Sequence, residues 1–329
     1  MYQPETYAVT LCFMLISMLC WGSWANTVKL CPGHRFQLFY WDYILGLIFG
    51  VLLWGLTLGS VGGQGPHFFT AVGQTGSSNI VFAVIGGVIF NVANLLLVAA
   101  IDIAGLAVAF PVGIGVALVI GAVGSYIIAP AGNRLLLFGG LALIVGAILF
   151  DAAAYRLRET DKLAMSKRGV ILSVVSGILM GTFYPFVAKA MDGGGGSGPY
   201  AIAFFFVLGV AACALPVNYL LMRKPLDGQE PVAMTGYVSA PGIWHVWGVL
   251  GGVAWCSGAV LNFVASRSRI VGPAVSYSIG QGATIISACW GVFVWREFSG
   301  APKQAKVLLG VMFVLFLLGL TALALAPIL

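Results

Sequence analysis

The sequence predicts an all-α integral membrane fold of ten transmembrane helices, arranged as two inverted five-helix repeats. Three observations predict it. Apolar residues make up 60% of the chain and charged residues only 8%, against roughly 25% charged in soluble domains, too few to cover a soluble surface. Ten apolar segments are each about 20 residues long, enough to cross a hydrocarbon core of about 30 Å. A motif in the fourth segment also recurs at the same spacing in the ninth.

The segments run 8 to 30, 38 to 59, 79 to 101, 104 to 128, 135 to 153, 169 to 190, 199 to 222, 242 to 265, 271 to 295 and 305 to 327. The first lacks a basic leader and exceeds the 7 to 15 apolar residues of a signal-peptide core, so it is expected to stay as a helix. Gly-rich or polar joints separate the segments, notably Val61 to Ser78, Asp192 to Gly198 and Arg223 to Pro241. None is long enough for a soluble domain. The ten-residue alternation of a membrane barrel is absent. The six cysteines, Cys12, Cys20, Cys31, Cys213, Cys256 and Cys289, lie in or beside apolar segments without a CxxC pair, and read as reduced, small hydrophobes.

Lys and Arg total twelve in the loops after segments 1, 3, 5, 7 and 9, and four on the other side. The positive-inside rule then places both termini outside the cytoplasm. The net charge of +6 reports this orientation rather than nucleic-acid binding. Arg156, Arg158, Lys162, Lys167 and Arg168 make residues 156 to 168 a cytoplasmic linker between a first repeat, 1 to 155, and a second, 169 to 329. The repeat shows in Gly105, Ala107, Val108, Phe110, Gly113 and Gly115, which match Gly272, Ala274, Val275, Tyr277, Gly280 and Gly282. Gly86-Gly87-Val88 likewise matches Gly251-Gly252-Val253, and Gly22-Ser23-Trp24 resembles Gly181-Thr182-Phe183. Five helices per repeat force opposite insertion, an arrangement that secondary transporters use to hold substrate near the midplane.

Polar side chains inside a membrane are costly, so each is a site candidate. The expected substrate-binding residues are Trp21, Trp24 and Asn26 in the first segment, Asn91 and Asn94 in the third, Tyr184 in the sixth, Trp255 and Asn262 in the eighth, and Tyr277 and Gln281 in the ninth. Rings to stack on, with amides and hydroxyls that both donate and accept, suit a neutral polar solute. The alternative for each Asn is a plain hydrogen bond between helices. Asp42 is the acid read as a proton-coupling group, with an ion pair to Lys29 as its structural alternative; Asp102, Asp151 and Glu297 read as loop anchors at helix ends. No GxxxxGK, HExxH or GxSxG motif is present, and His34, His67 and His245 are scattered, so neither an enzyme, a metal site nor a cofactor is expected.

These residues resemble the drug/metabolite transporter superfamily, with an EamA-like fold, and within it the plant-type ureide permeases and their bacterial relatives. The resemblance is carried by Gly22-Ser23-Trp24, Asp42-Tyr43, Gly86-Gly87-Val88 with Asn94, Gly251, Gly258, the run Gly272 to Gly282, Trp290-Gly291 and Glu297. Trp21-Gly22-Ser23, Lys29, Gly33, Phe36-Gln37 and Ala109-Phe110-Pro111 look equally like the glucose and rhamnose uptake branches. The likeness implies a central cavity lined mainly by segments 1, 3, 4, 6, 8 and 9. It also implies proton-coupled uptake of a ureide or nucleobase-like ring, with a monosaccharide as the alternative and a multidrug exporter third. The expected partners are a small-molecule substrate, a proton or other coupling ion and the lipid bilayer of a bacterial inner membrane; assembly into a homo-oligomer stays open.

Overall fold

A computed structural model describes residues 1–104, 106–158, 166–192, 198–226, 228–268 and 270–329. Gly105 of the repeated motif, residues 159–165 of the expected linker, Lys162 among them, and residues 193–197 of the Asp192 to Gly198 joint lie outside the described residues. The described residues hold ten helices long and apolar enough to cross a membrane. In chain order they are α1 (Tyr7–Lys29), α2 (Phe36–Leu56), α3 (Ser77–Ala104), α4 (Leu106–Ile128), α5 (Arg134–Arg158), α6 (Lys167–Met191), α7 (Pro199–Arg223), α8 (Gly242–Ser266), α9 (Pro273–Val294) and α10 (Lys303–Leu325). Short helices Phe68–Gln74 and Thr235–Val238, unforeseen in the sequence, sit in the two longest joints.

Two boundaries differ from expectation in ways that matter. Helix α5 runs to Arg158, five residues past the expected end, because Ala152, Ala153 and Ala154 continue the helix while its last turn becomes basic. Asp151 is therefore interior to a helix, not an anchor at its end. Helix α9 is broken: α-helical stretches Pro273–Gln281 and Ala283–Cys289 meet at Gly282, and a π-helical turn, Trp290–Val294, follows. Helix α1 has a similar interruption at Trp24 and Ala25 before its last turn, Asn26–Lys29.

The helices interleave across the chain's midpoint. Helix α3 packs on α6 and α7, α8 on α1 and α2, α4 on α6, and α5 on α10. Glycines set the closest approaches, and they do so in matched pairs. A Cβ on Gly87 would lie 2.1 Å from the Phe206 carbonyl oxygen of α7, and one on Gly252 would lie 2.1 Å from the Tyr43 carbonyl oxygen of α2. A Cβ on Gly181 would lie 2.7 Å from the Ala117 carbonyl oxygen of α4, and one on Gly22 would lie 2.5 Å from the Ala283 carbonyl oxygen of α9. Backbone-to-backbone packing through small residues is how membrane helices associate where lipid removes the hydrophobic drive. The matched contacts are those an inverted repeat calls for.

Successive spans alternate in direction, so Lys29, Asp42, Asp151, Arg158, Lys167, His245 and Glu297 all fall toward one end of the bundle. We call it the basic end.

Candidate functional site: a central aromatic cavity

Helices α1, α3, α4, α6, α8 and α9 enclose a cavity of about 90 Å³. Trp21, Trp24, Phe90, Phe183 and Trp255 supply its rings, and Asn94, Gln281 and Thr284 its polar groups. Trp21 stacks on Trp255 with ring centres 5.9 Å apart, and its indole N–H donates to the Trp255 carbonyl oxygen at 3.2 Å. Phe90 also packs on Trp255, with ring centres 4.2 Å apart. The indole faces are thereby fixed in orientation before any solute arrives, which spares the entropy of ordering them later. Among the described residues no charged side chain lines this space. Breaks in membrane helices are tolerated where they line a cavity, and both broken helices border this one: α1 contributes Trp21 and Trp24, and α9 contributes Gln281, Ala283 and Thr284.

Five of the ten expected binding residues, Trp21, Trp24, Asn94, Trp255 and Gln281, line the cavity. The other five lie outside its lining. Asn91 sits behind Asn94 and accepts from the Tyr40 hydroxyl at 2.8 Å, while the Asn94 amide donates to that hydroxyl at 3.5 Å. Tyr184, Asn262 and Tyr277 are fully buried at the end away from the basic one. There the Tyr184 hydroxyl donates to Asn262 Oδ1 at 2.5 Å, Asn262 Nδ2 donates to the Ser276 carbonyl oxygen at 2.9 Å, and the Tyr277 hydroxyl donates to the Ala117 carbonyl oxygen at 3.2 Å. A Cβ on Gly121 would come 2.2 Å from the Tyr277 ring, so that ring is seated directly on the α4 backbone. These three residues close the far end. Asn26 belongs to the basic end, where it accepts from the Trp295 indole N–H at 2.6 Å and donates to the Ser23 carbonyl oxygen at 3.0 Å.

The lining also holds residues that sequence reasoning missed: Phe90, Leu97, Phe110, Ile114, Met180, Phe183, Ala283 and Thr284. Phe110 belonged to the repeated motif, which was its one available signal. Trp24 and Phe110, the lining members nearest the basic end, are half-buried.

Acidic residues at the basic end have different partners from those expected. Asp42 is buried and accepts from the Tyr237 hydroxyl at 2.6 Å, with His245 Nδ1 2.8 Å from its other oxygen. Burial first, and then the Asp42 carboxylate, push the Tyr237 hydroxyl up to about 12, so it stays a donor at neutral pH. The expected alternative, a Lys29–Asp42 pair, is not formed: Lys29 pairs with Glu297 instead. Glu297 also accepts from the Tyr155 hydroxyl at 3.0 Å and from Arg158 at 3.1 Å. Burial opposes the charge on Glu297, but Lys29, Tyr155 and Arg158 outweigh it and hold the carboxyl below its ordinary range. Glu297 thus ties α1 and α5 to the end of α9.

Ten spanning helices around a closed-ended central chamber define a multi-pass integral membrane protein of the transporter class. A sequence model of the family described as "Sugar transport protein" matches residues 12–326, so the chain belongs to that family. Among curated relatives, "Ureide permease 1" of Arabidopsis thaliana is 22% identical over 388 residues, covering 98% of each chain. "Ureide permease 2" of the same plant is 21% identical over 390 residues, covering 96% of each. One solved structure, described only as a crystal structure of a protein, superposes with a TM-score of 0.63 at 14% identity, covering 94% of this chain and 96% of that one. At that identity the likeness concerns the fold alone. The chain is a membrane transporter of small solutes, related to permeases rather than to enzymes.

Proposed function

We propose that this protein is a secondary carrier that takes up a small neutral ring compound of the ureide or nucleobase type, coupled to protons. One observation carries the reading: a cavity lined by indole faces with amide groups and a hydroxyl between them, and no charge among its described lining residues. A planar ring bearing adjacent C=O and N–H groups can stack on indole while an Asn or Gln amide meets both groups at once. An ionic solute would stand there unpaired. Similarity to the ureide permeases over nearly the full length of each chain supports the same class. The second reading, a monosaccharide, is favoured by the family description and by the stacking indoles, which also suit sugar faces.

The cavity of about 90 Å³ is smaller than the ~150 Å³ that accommodates benzene, so the mouth must widen for a ring to enter. The proposed uptake cycle admits solute at the far end when the Tyr184, Asn262 and Tyr277 seal releases, and delivers it at the basic end once that seal has re-formed.

The test is uptake of labelled allantoin, uracil, glucose and rhamnose into proteoliposomes, with and without an imposed pH gradient. Saturable uptake of a ureide or nucleobase, abolished by Trp255→Ala and Asn94→Ala, is the expected result. Uptake of a sugar alone moves the assignment to the second reading. For orientation, we propose that the basic end, with residues 156 to 168, faces the cytoplasm, in a bacterial inner membrane. A single cysteine at Lys167, in a chain without its native cysteines, then escapes membrane-impermeant thiol reagents in intact cells.

A further inference from the structure

Asp151 stands out among the acids of the membrane interior. It lies two turns inside α5, is 95% buried (5% exposed), and its Oδ1 has no hydrogen-bond partner. It faces a void of about 30 Å³ lined also by Phe110, Pro111, Tyr155, Thr284, Ser287 and Ala288. That is room for a water molecule. Phe110 and Thr284 line the central cavity as well, so the two spaces share a wall and a polar group.

The charged and titratable neighbours are few. Tyr155 and Arg158 share α5 with Asp151, and Glu297 approaches from the segment after α9; Arg158 is engaged by Glu297, which also takes the Tyr155 hydroxyl. The residues of α4 and α9 that face the void, Phe110, Pro111, Thr284, Ser287 and Ala288, carry no charge. Among the described residues no cation lines this void, and a buried carboxyl without one is tolerated as the neutral acid. Once water reaches it, it can ionise. Asp42, by contrast, is held by Tyr237 and His245 and borders neither space.

We propose that Asp151 is the site that takes up and releases the coupling proton, exchanging it through the void beside Phe110 and Thr284. Nothing but a proton is transferred: it binds a carboxylate oxygen when the void is wetted from one side and leaves when it is wetted from the other. Thr284 lies in both walls, so solute in the cavity and the proton on Asp151 are felt through one side chain. This inference rests on the carrier reading above.

The experiment compares wild type, Asp151→Asn, Asp151→Glu and Asp42→Asn in proteoliposomes, using labelled allantoin and uracil. Asp151→Asn is expected to lose accumulation driven by a pH gradient, falling to the level without a gradient, while solute counterflow persists; Asp151→Glu restores part of the accumulation. Gradient-driven accumulation that survives Asp151→Asn, accumulation driven by sodium instead, or loss confined to Asp42→Asn, would overturn the proposal. Infrared difference spectra of the same proteins against pH provide a readout that needs no transport. A protonated-carboxyl band that titrates in wild type and vanishes in Asp151→Asn is expected, and its persistence refutes the assignment. If wild type carries no solute, the carrier reading fails while the infrared band still decides for or against Asp151.

Discussion

Tyr277 and Phe110 occupy the same place in the repeated motif, yet the two ends of the cavity treat them oppositely. Tyr277 is fully buried, seated on Gly121, with its hydroxyl donating to the Ala117 and Met180 carbonyl oxygens. Phe110 is half-buried and stands beside an unfilled space whose wall includes Ala288. Ala288 is to Phe110 what Gly121 is to Tyr277, since each lies eleven residues beyond the aromatic partner of the opposite repeat. One end is therefore sealed and the other has an empty seat. The difference teaches that equivalent aromatic positions can be seated on a small residue at one end and left beside unfilled space at the other, which is what the proposed carrier cycle requires of its two ends.

Breaking the sealed end is expected to have the largest effect on stability. Gly121→Val places a side chain where a Cβ alone would be 2.2 Å from the Tyr277 ring. Such overpacking costs about 1–3 kcal/mol, and here the high end is expected because the obstacle is a fully buried ring packed against Phe183 and Tyr184. Thermal unfolding in detergent should show it, and a thiol probe at Ser276→Cys should gain access from the far end. Tyr184→Phe comes next. It leaves Asn262 Oδ1 without its donor in a fully buried site, at a cost of about 1–2 kcal/mol for the unmet acceptor. Unchanged unfolding in Tyr184→Phe would show that the hydroxyl ladder is incidental to the seal.

Much of this contrast could be read in the sequence, and the limits have physical causes. The ten spans follow from hydropathy because lipid enforces length and apolarity. The repeat could be read because glycines at helix crossings admit no substitute. The cavity's indoles and amides were found in part, since intramembrane polarity marks cost but not direction. Asn262 and Tyr184 are polar for the same reason as Asn94, yet they satisfy each other rather than facing the cavity. Asp151 was misplaced because the expected span stopped at 153, before the helix does. No local signal could pair Glu297 with Lys29, which is 268 residues away.

The basic end is held from outside by ion pairs, so its contribution is smaller and depends on salt and pH. Glu297→Gln removes the charge that Lys29 and Arg158 share. Partly exposed pairs contribute about 0.2–1 kcal/mol, so a loss near 1 kcal/mol is expected, shrinking as salt is raised. The carboxyl is held below its ordinary value, so its stabilisation is fully present above the unfolded-state pKa of about 4.3. It is lost as pH falls through the lowered one. Wild type and Glu297→Gln should therefore converge in stability on acidification, and parallel curves would show that the charge contributes nothing to this end.

The smallest effect on stability should come from Ala288→Val, and it tests the empty seat directly. The void beside Ala288 already holds about 30 Å³, so the added methyls enter existing space and the fold should lose well under about 1 kcal/mol. If the seat is spare volume, transport is unchanged. If Phe110 must occupy it when the basic end closes, the valine keeps that end open, and counterflow collapses in a protein that unfolds normally. The same substitution then separates the two ends: solute still binds from the basic end, quenching tryptophan fluorescence from Trp21, Trp24 and Trp255, but does not emerge at the other.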